Sequence, residues 1–289
     1  MRERPAIRNL SGDRLHMQQG PIDIVLRAWG EASAVAAARQ AAQARFATIL
    51  SELCSELAAL RRPMGEGARL HGGVALRMQR ACQPFAGLFV TPMAAVAGAV
   101  ADEILAAMIA AAPLDKAFVN DGGDIAVHLA AGHSLAIGVM GHASGAGVPQ
   151  ASAGLVLRSA DTARGIATSG AGGRSFSLGI ADGVTVLARD AATADVAATL
   201  IANAVDCDHP GIIRRPATLL DPDSDLGALP VTVAVPPLPP DSVMRALSAG
   251  LHRARLYRAR GLIADAALHL QGQSLTLVDR LQPELECLK

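Results

Sequence analysis

Apolar positions recur along this chain with two spacings, and the change of spacing marks its elements. From Glu31 to Leu60, Ala38, Ala42, Phe46, Ile49, Leu50, Leu53, Leu57 and Leu60 fall three or four apart. That is one stripe on a helix, which Pro63 and Gly65 end. Ahead of it, IDIVLRAWG reads as a strand, and residues 1–20 as a polar, poorly ordered N-terminal segment. A second helix is expected from Met93 to Ala112, closed by Pro113. The strand-like runs KAFVN, IAVHLA, SLAIGVM and AGLVLRS follow, separated by Gly-rich turns, which predicts antiparallel pairing.

GVTVLARD reads as a further strand leading into a helix from Ala191 to Val205, with Asp190 as its N-cap. LPVTVAV is a strand before the turn or linker PPLPP. Asp241 is expected to cap a helix reaching Arg260, and GLIADAALHLQGQSLTLV to close the chain as paired strands. The fold class is α+β: antiparallel sheets packed with helices. Residues 21–289 are expected to form a single domain.

Composition narrows the function. Lys plus Arg and Asp plus Glu both number 26, so no basic field gathers nucleic acid or an anionic membrane. Aromatics are 2% of residues, too few for base-stacking platforms. Cys54, Cys82, Cys207 and Cys287 form no CxxC pair, which excludes a zinc ribbon and a thioredoxin motif. The start MRERPAIRNLSGDR has no apolar signal region, so a reduced, cytoplasmic protein is expected. Ala81 to Ala101 carries no charge and has the length of a membrane span, but Pro84 and Pro92 interrupt it. A buried loop leading into a core helix is the reading adopted.

Four stretches offer chemistry. In VNDGGDIAVHL, Asn120, Asp121, Gly122, Gly123 and Asp124 separate two strand-like runs. They spell either a tight turn or a place where a ligand lies against bare backbone, with a carboxylate on its ribose or base edge. GIATSGAGGRSFSLG supplies Thr168, Ser169, glycines and Arg174, the makings of an anion-holding loop or of a flexible one. Asp195 and Thr199 are four apart and share a helix face. Their hard oxygens suit Mg²⁺, although an Asp in a first helical turn is also favoured by the dipole. NAVDCDHP reads as a helix end, with His209, Arg214 and Arg215 as candidate pocket-lining side chains.

In order along the chain, these motifs resemble the ApbE superfamily, flavin transferases that attach FMN from FAD to a protein threonine. The family's NAGGDI is similar to Asn120–Ile125, its ATSG to Ala167–Gly170, and its VTV…ADALAT to Val184–Val186 with Ala194–Thr199. Its AKGYAAD is similar to Ala97–Asp102. The resemblance implies an ApbE-like, T-fold-related fold and a small-molecule site for FAD or another flavin. Asn120 to Asp124, Thr168, Ser169 and Arg174 would hold the ligand, and Asp195 and Thr199 a Mg²⁺ ion. A homo-oligomer is admitted; nucleic acid and membrane partners are not expected. Two departures stand out. Ala97 occupies the position of the family's flavin-contacting Lys, and the HxIDPxTG segment that carries the transfer His and Asp is missing. Phe176 falls where a short-loop alignment seeks that His. The expected activity is therefore Mg²⁺-dependent phosphate-ester chemistry rather than standard protein flavinylation. The alternatives are a non-catalytic binder of a flavin, pterin or related heteroaromatic, and a structural partner without a ligand.

Overall fold

The computed structural model describes residues 4–67, 69–140, 151–173 and 175–277. Contacts divide the chain into two compact units. The first takes the chain up to Leu135 with residues 158–167 and 188–196; the second takes 136–157, 168–187 and the rest from Ala197.

The chain opens with strands β1 (Ala6–Leu10), β2 (Arg14–Gln19) and β3 (Ile22–Trp29). Helices α1 (Ala32–Leu60), α2 (Gly73–Cys82) and α3 (Val96–Ala111) follow, then β4 (Lys116–Asp121) and β5 (Asp124–Leu129). Next come β6 (Ser134–Met140), β7 (Ala151–Arg158), β8 (Gly165–Ser169), β9 (Gly183–Ala188) and α4 (Ala191–Ala204). The last elements are β10 (Ile213–Pro216), β11 (Pro230–Ala234), α5 (Pro240–Ala259), β12 (Asp265–Leu270) and β13 (Gln273–Thr276). The architecture is α+β with antiparallel sheets, as the alternating runs implied.

In the first unit each strand pairs antiparallel with the next in the order β1, β2, β3, β4, β5, and β8 joins β5 through Ile125–Ile166 and Ala126–Gly165. Ile22, Ile24, Leu26 and Ala28 alternate inward along β3, opposite Ala117 and Val119 of β4. α1 covers this face with Ala38, Ala42, Phe46, Ile49, Leu53 and Leu60, and α3 with Ala99, Val100, Ile104 and Met108. Pro92–Ala111 is long and apolar enough by composition to cross a membrane. Here its α-helical part lies against α1, α2, β4 and β5.

Three local readings need correction. The N-terminus is not poorly ordered where described: β1 and β2 make a hairpin on β3, because Leu15 and Met17 alternate into the core. α2 was missed, since its apolar residues Val74, Ala75, Met78, Ala81 and Cys82 are interleaved with arginines and begin at Gly-Gly. Residues 165–169 are strand rather than loop; Gly170–Gly173 turn, and 175–179 carry no regular structure. Arg174 lies outside the described residues.

In the second unit β12 lies between β9 and β13, antiparallel to both. β6 pairs with β7, and β10 with β11. α5 packs Val243, Ala246, Leu247, Leu251 and Ala254 toward β12 and β13. Its cap is Pro239 rather than Asp241, which falls in the first turn. Pro240 at the first helical position has no N–H to satisfy and a φ already set for helix, so the helix starts there.

Candidate functional site

The turn at the heart of NDGGD is a tight hairpin. Asp121 faces Asp124 across the ladder, and Gly122 and Gly123 both take positive φ, +63° and +117°. A two-residue hairpin loop demands that backbone, and glycine adopts it without steric cost. The Asn120 side-chain oxygen accepts the Gly123 N–H at 2.8 Å and locks the loop. The two carboxylates that flank the glycines part company. Asp124 is half-buried, whereas Asp121 is 3% exposed and accepts the Asp23 N–H at 3.2 Å. Alternation puts Asp121 on the same side of β4 as Ala117 and Val119, the helix-covered face.

That face packs against α3, and the starts of α3 and α4 cap one another. No side chain local to α3 satisfies its first N–H groups. Asp195 does so from α4: one carboxylate oxygen accepts the Gly98 N–H at 3.1 Å, and the group also accepts from Ala97. In return Asp102 of α3 accepts the Ala191 and Ala192 N–H groups of α4, at 3.1 and 2.9 Å. Asp190 completes the α4 cap as its sequence position implied, accepting the Thr193 N–H at 2.8 Å. Gly98 permits this closeness. A Cβ there would lie 2.3 Å from the Ala191 carbonyl oxygen.

Negative charge is concentrated here. Burial raises the Asp195 carboxyl to about 7; its amide bonds from Gly98 and Ala97 oppose the shift, and the charges of Asp121 and Asp102 add to it. Burial likewise raises Asp102 to about 6, against the amides it caps. The Cys82 thiol donates to the Thr91 carbonyl, and burial, with the Asp195 charge, pushes its pKa up. It therefore stays a thiol rather than a nucleophilic thiolate.

The second unit holds a set of hydroxyls. Thr168, exposed on β8, has its hydroxyl 2.9 Å from that of Thr185, which is buried. The Thr199 hydroxyl donates to Ser169 Oγ at 3.4 Å. Asn203, one turn further along α4, fixes the adjoining loop by accepting the Leu178 N–H at 2.9 Å. The NAVDCDHP side chains do not converge. Asp206 pairs with Arg214, and His209 Nδ1 accepts the Gly211 N–H at 3.2 Å.

A metal needs a donor set that matches it. Among the described residues, no three His, Cys, Asp or Glu side chains gather to hold an ion. An all-protein cage is thus not what Asp195 offers. Mg²⁺ does not require one, since it is commonly held by one or two carboxylates with ligand phosphates and water. Asp195, a carboxylate that accepts from the Gly98 and Ala97 amides and feels the Asp121 charge, is the kind of single carboxylate such a site uses.

Sequence reasoning singled out Asp195 and Asp121 but assigned no role to Gly98 or Asp102. Both were visible only as letters of the AGAVAD motif; nothing local marks a residue that caps a helix distant in sequence.

Residues 7–276 match the family model described as "AbpE bacteria". A UPF0280 protein of Methanothrix thermoacetophila is 36% identical over 153 residues, 53% of this chain and 61% of that protein. A UPF0280 protein of Methanopyrus kandleri is 38% identical over 138 residues, 47% of this chain and 51% of that protein. The chain thus spans between 51% and 61% of the length of these curated relatives.

Proposed function

The chain belongs to the AbpE bacteria family, and on that premise we propose that it is an ApbE-like protein that binds a flavin- or nucleotide-type ligand through its phosphates. Mg²⁺-assisted phosphate-ester chemistry is the activity we assign to it, not protein flavinylation of the standard kind. The observation that carries the reading is a pair of carboxylates held inside the fold: Asp195, which caps the first turn of α3, and Asp121, 3% exposed, where the Asn120–Gly123 hairpin begins. Asp195 caps two amides of α3, and the Asp121 charge adds to its affinity for a positive partner, a proton or a bound cation. Asp195 would hold the ion, with Thr199 one turn on along the same helix. Mg²⁺ bound there would polarise a phosphoryl oxygen.

The rest of the assignment rests on the motifs. Ala97 brings only its backbone N–H to Asp195, where the related transferases carry a lysine toward the flavin. The sequence lacks the HxIDPxTG segment that carries the transfer His and Asp of those transferases, and transfer to a hydroxyl needs a base. These gaps favour a second reading, a binding module without catalysis.

Mass spectrometry of small molecules released from the purified protein, with and without added Mg²⁺, tests the binding. A phosphate-bearing heteroaromatic retained only with Mg²⁺ is the expected result; an empty protein under both conditions contradicts it. Incubation with FAD, Mg²⁺ and a threonine-containing acceptor protein should yield no covalent FMN adduct. An adduct formed at enzymatic rates would overturn the exclusion of flavinylation.

A further inference from the structure

The outer face of α5 is strongly basic in a chain without net charge. Arg245, Arg255 and Arg258 are exposed on it, and Asp241 is the only acidic residue of the helix. Among the described residues no ion pair joins these three arginines to a carboxylate; Arg245 donates to Ser242 Oγ at 2.9 Å. Met244 (39% exposed) and Leu256 (48%) stand among them.

The complementary surface lies in the same unit. After a short 3-10 turn, Ala217–Leu219, the chain exposes Leu219 (73%) and Leu220 (41%), followed by Asp221 and Asp223. The loop is firmly built. The Leu220 and Asp221 N–H groups both bond the Ala217 carbonyl at 2.9 Å, and the Asp223 N–H bonds Asp221 Oδ1 at 2.9 Å. Neither Asp221 nor Asp223 pairs with a cation among the described residues. One surface thus presents arginines around two apolar side chains, and the other presents two leucines beside two carboxylates.

We propose that these surfaces bind each other between copies of this chain: the 219–223 loop of one protomer docks on the α5 face of the next. Zero net charge means that acidic residues elsewhere in the chain balance the excess on α5, and Asp221 and Asp223 are exposed among them, so a second copy brings its own counter-charge. Other anionic partners fit less well. The apolar side of α5 is committed to β12 and β13, which leaves no face to insert into a membrane. Tyr257, the sole aromatic of the helix, is buried and cannot stack on bases. Arginine and methionine are enriched at protein–protein contacts.

Sedimentation velocity on the full chain tests this. Wild type should associate in about 50 mM salt, with affinity at least about tenfold weaker in about 500 mM, as screening shortens the reach of the charges. Arg255→Glu with Arg258→Glu should be monomeric, and so should Asp221→Lys with Asp223→Lys. Because all four side chains are exposed, circular dichroism and melting temperature should match wild type. An equimolar mixture of the two variants should associate again, since it restores opposite charge at each contact. The milder Arg255→Gln with Arg258→Gln should weaken association if the glutamates disturb folding. Wild type that stays monomeric at low salt overturns the proposal, whether or not it shifts with anionic vesicles or single-stranded RNA. So does association that survives both charge reversals, or reversed variants that fail to join when mixed.

Discussion

Replacing Gly98 by Ala tests the mutual capping of α3 and α4 most sharply, because two effects of opposite sign compete there. In an unhindered helix interior Gly→Ala stabilises by about 1 kcal/mol. At Gly98 the new Cβ would lie 2.3 Å from the Ala191 oxygen, 2.5 Å from its carbonyl carbon and 2.7 Å from the Ala192 nitrogen. Ordinary contact begins near 3.4 Å, so the two helix starts must part by about 1 Å. All the obstructing atoms are backbone, and none can rotate away. Overpacking of this kind costs about 1–3 kcal/mol. The same displacement stretches the Asp195 bond to Gly98 and the Asp102 bonds to Ala191 and Ala192. Hydrogen bonds to charged groups contribute about 1.5–3 kcal/mol each, of which partial loss is enough to add a further kcal/mol or so. The net loss is about 1–3 kcal/mol, a fall in Tm of roughly 2–12 °C for a chain of this size. Thermal unfolding followed by far-ultraviolet circular dichroism reads it. Gly87→Ala is the control, since nothing lies within 4 Å of its Cβ position, and it should be nearly neutral. Gly98→Ala melting at or above wild type would refute the close approach.

Two further outcomes follow from the carboxylates. With its folded pKa at about 7 and an unfolded value of about 3.9, Asp195 holds a proton in the native state that the unfolded chain releases. Its contribution to stability therefore declines as pH rises from about 4 to about 7 and is level above that. Asp195→Asn should remove that decline and be more stable than wild type at pH 8, with the two converging near pH 4; urea midpoints across the range measure it, and a pH-independent difference would count against the buried charge. Asp102→Ala deletes two caps from α4 and should cost about 1–3 kcal/mol, while Asp102→Asn, which keeps an acceptor, should recover part of the loss in the same unfolding assay.

What was legible in the sequence followed from regular spacing. The α1 stripe, the alternation in β4 and β5, and Asp190 as the α4 cap all depend on residues close in the chain. Asn120–Asp124 could be read as a turn for the same reason, though not which of its carboxylates turns inward. That is settled by register: Asp121 continues the buried alternation of β4, and Asp124 begins the next strand. α2 was hidden by its arginines, one of which, Arg77, pairs with Glu103 of α3 at 2.6 Å. Its polar residues are thus part of the packing, which a hydrophobic pattern alone does not register. Asp102 and Gly98 were illegible as site-forming residues because their partners at Ala191 and Ala192 lie about ninety positions away. The α5 arginines averaged out in the whole-chain charge, so neutrality of the sum concealed a basic face.

The most direct measurement of the central claim is a thermal-shift screen of FAD, FMN, ADP, GTP and pterins at pH 8, where Asp195 is ionised, with and without Mg²⁺. A ligand at a hundred times its Kd stabilises the native state by about 2.7 kcal/mol, enough for a clear rise in Tm. At least one phosphate-bearing compound should raise the melting temperature of wild type more with Mg²⁺ than without. Asp195→Ala should lose that Mg²⁺ dependence, because the carboxylate proposed to hold the ion is gone. No shift with any compound would contradict the phosphate-ligand claim, and an equal, Mg²⁺-enhanced shift in wild type and Asp195→Ala would contradict the role given to Asp195.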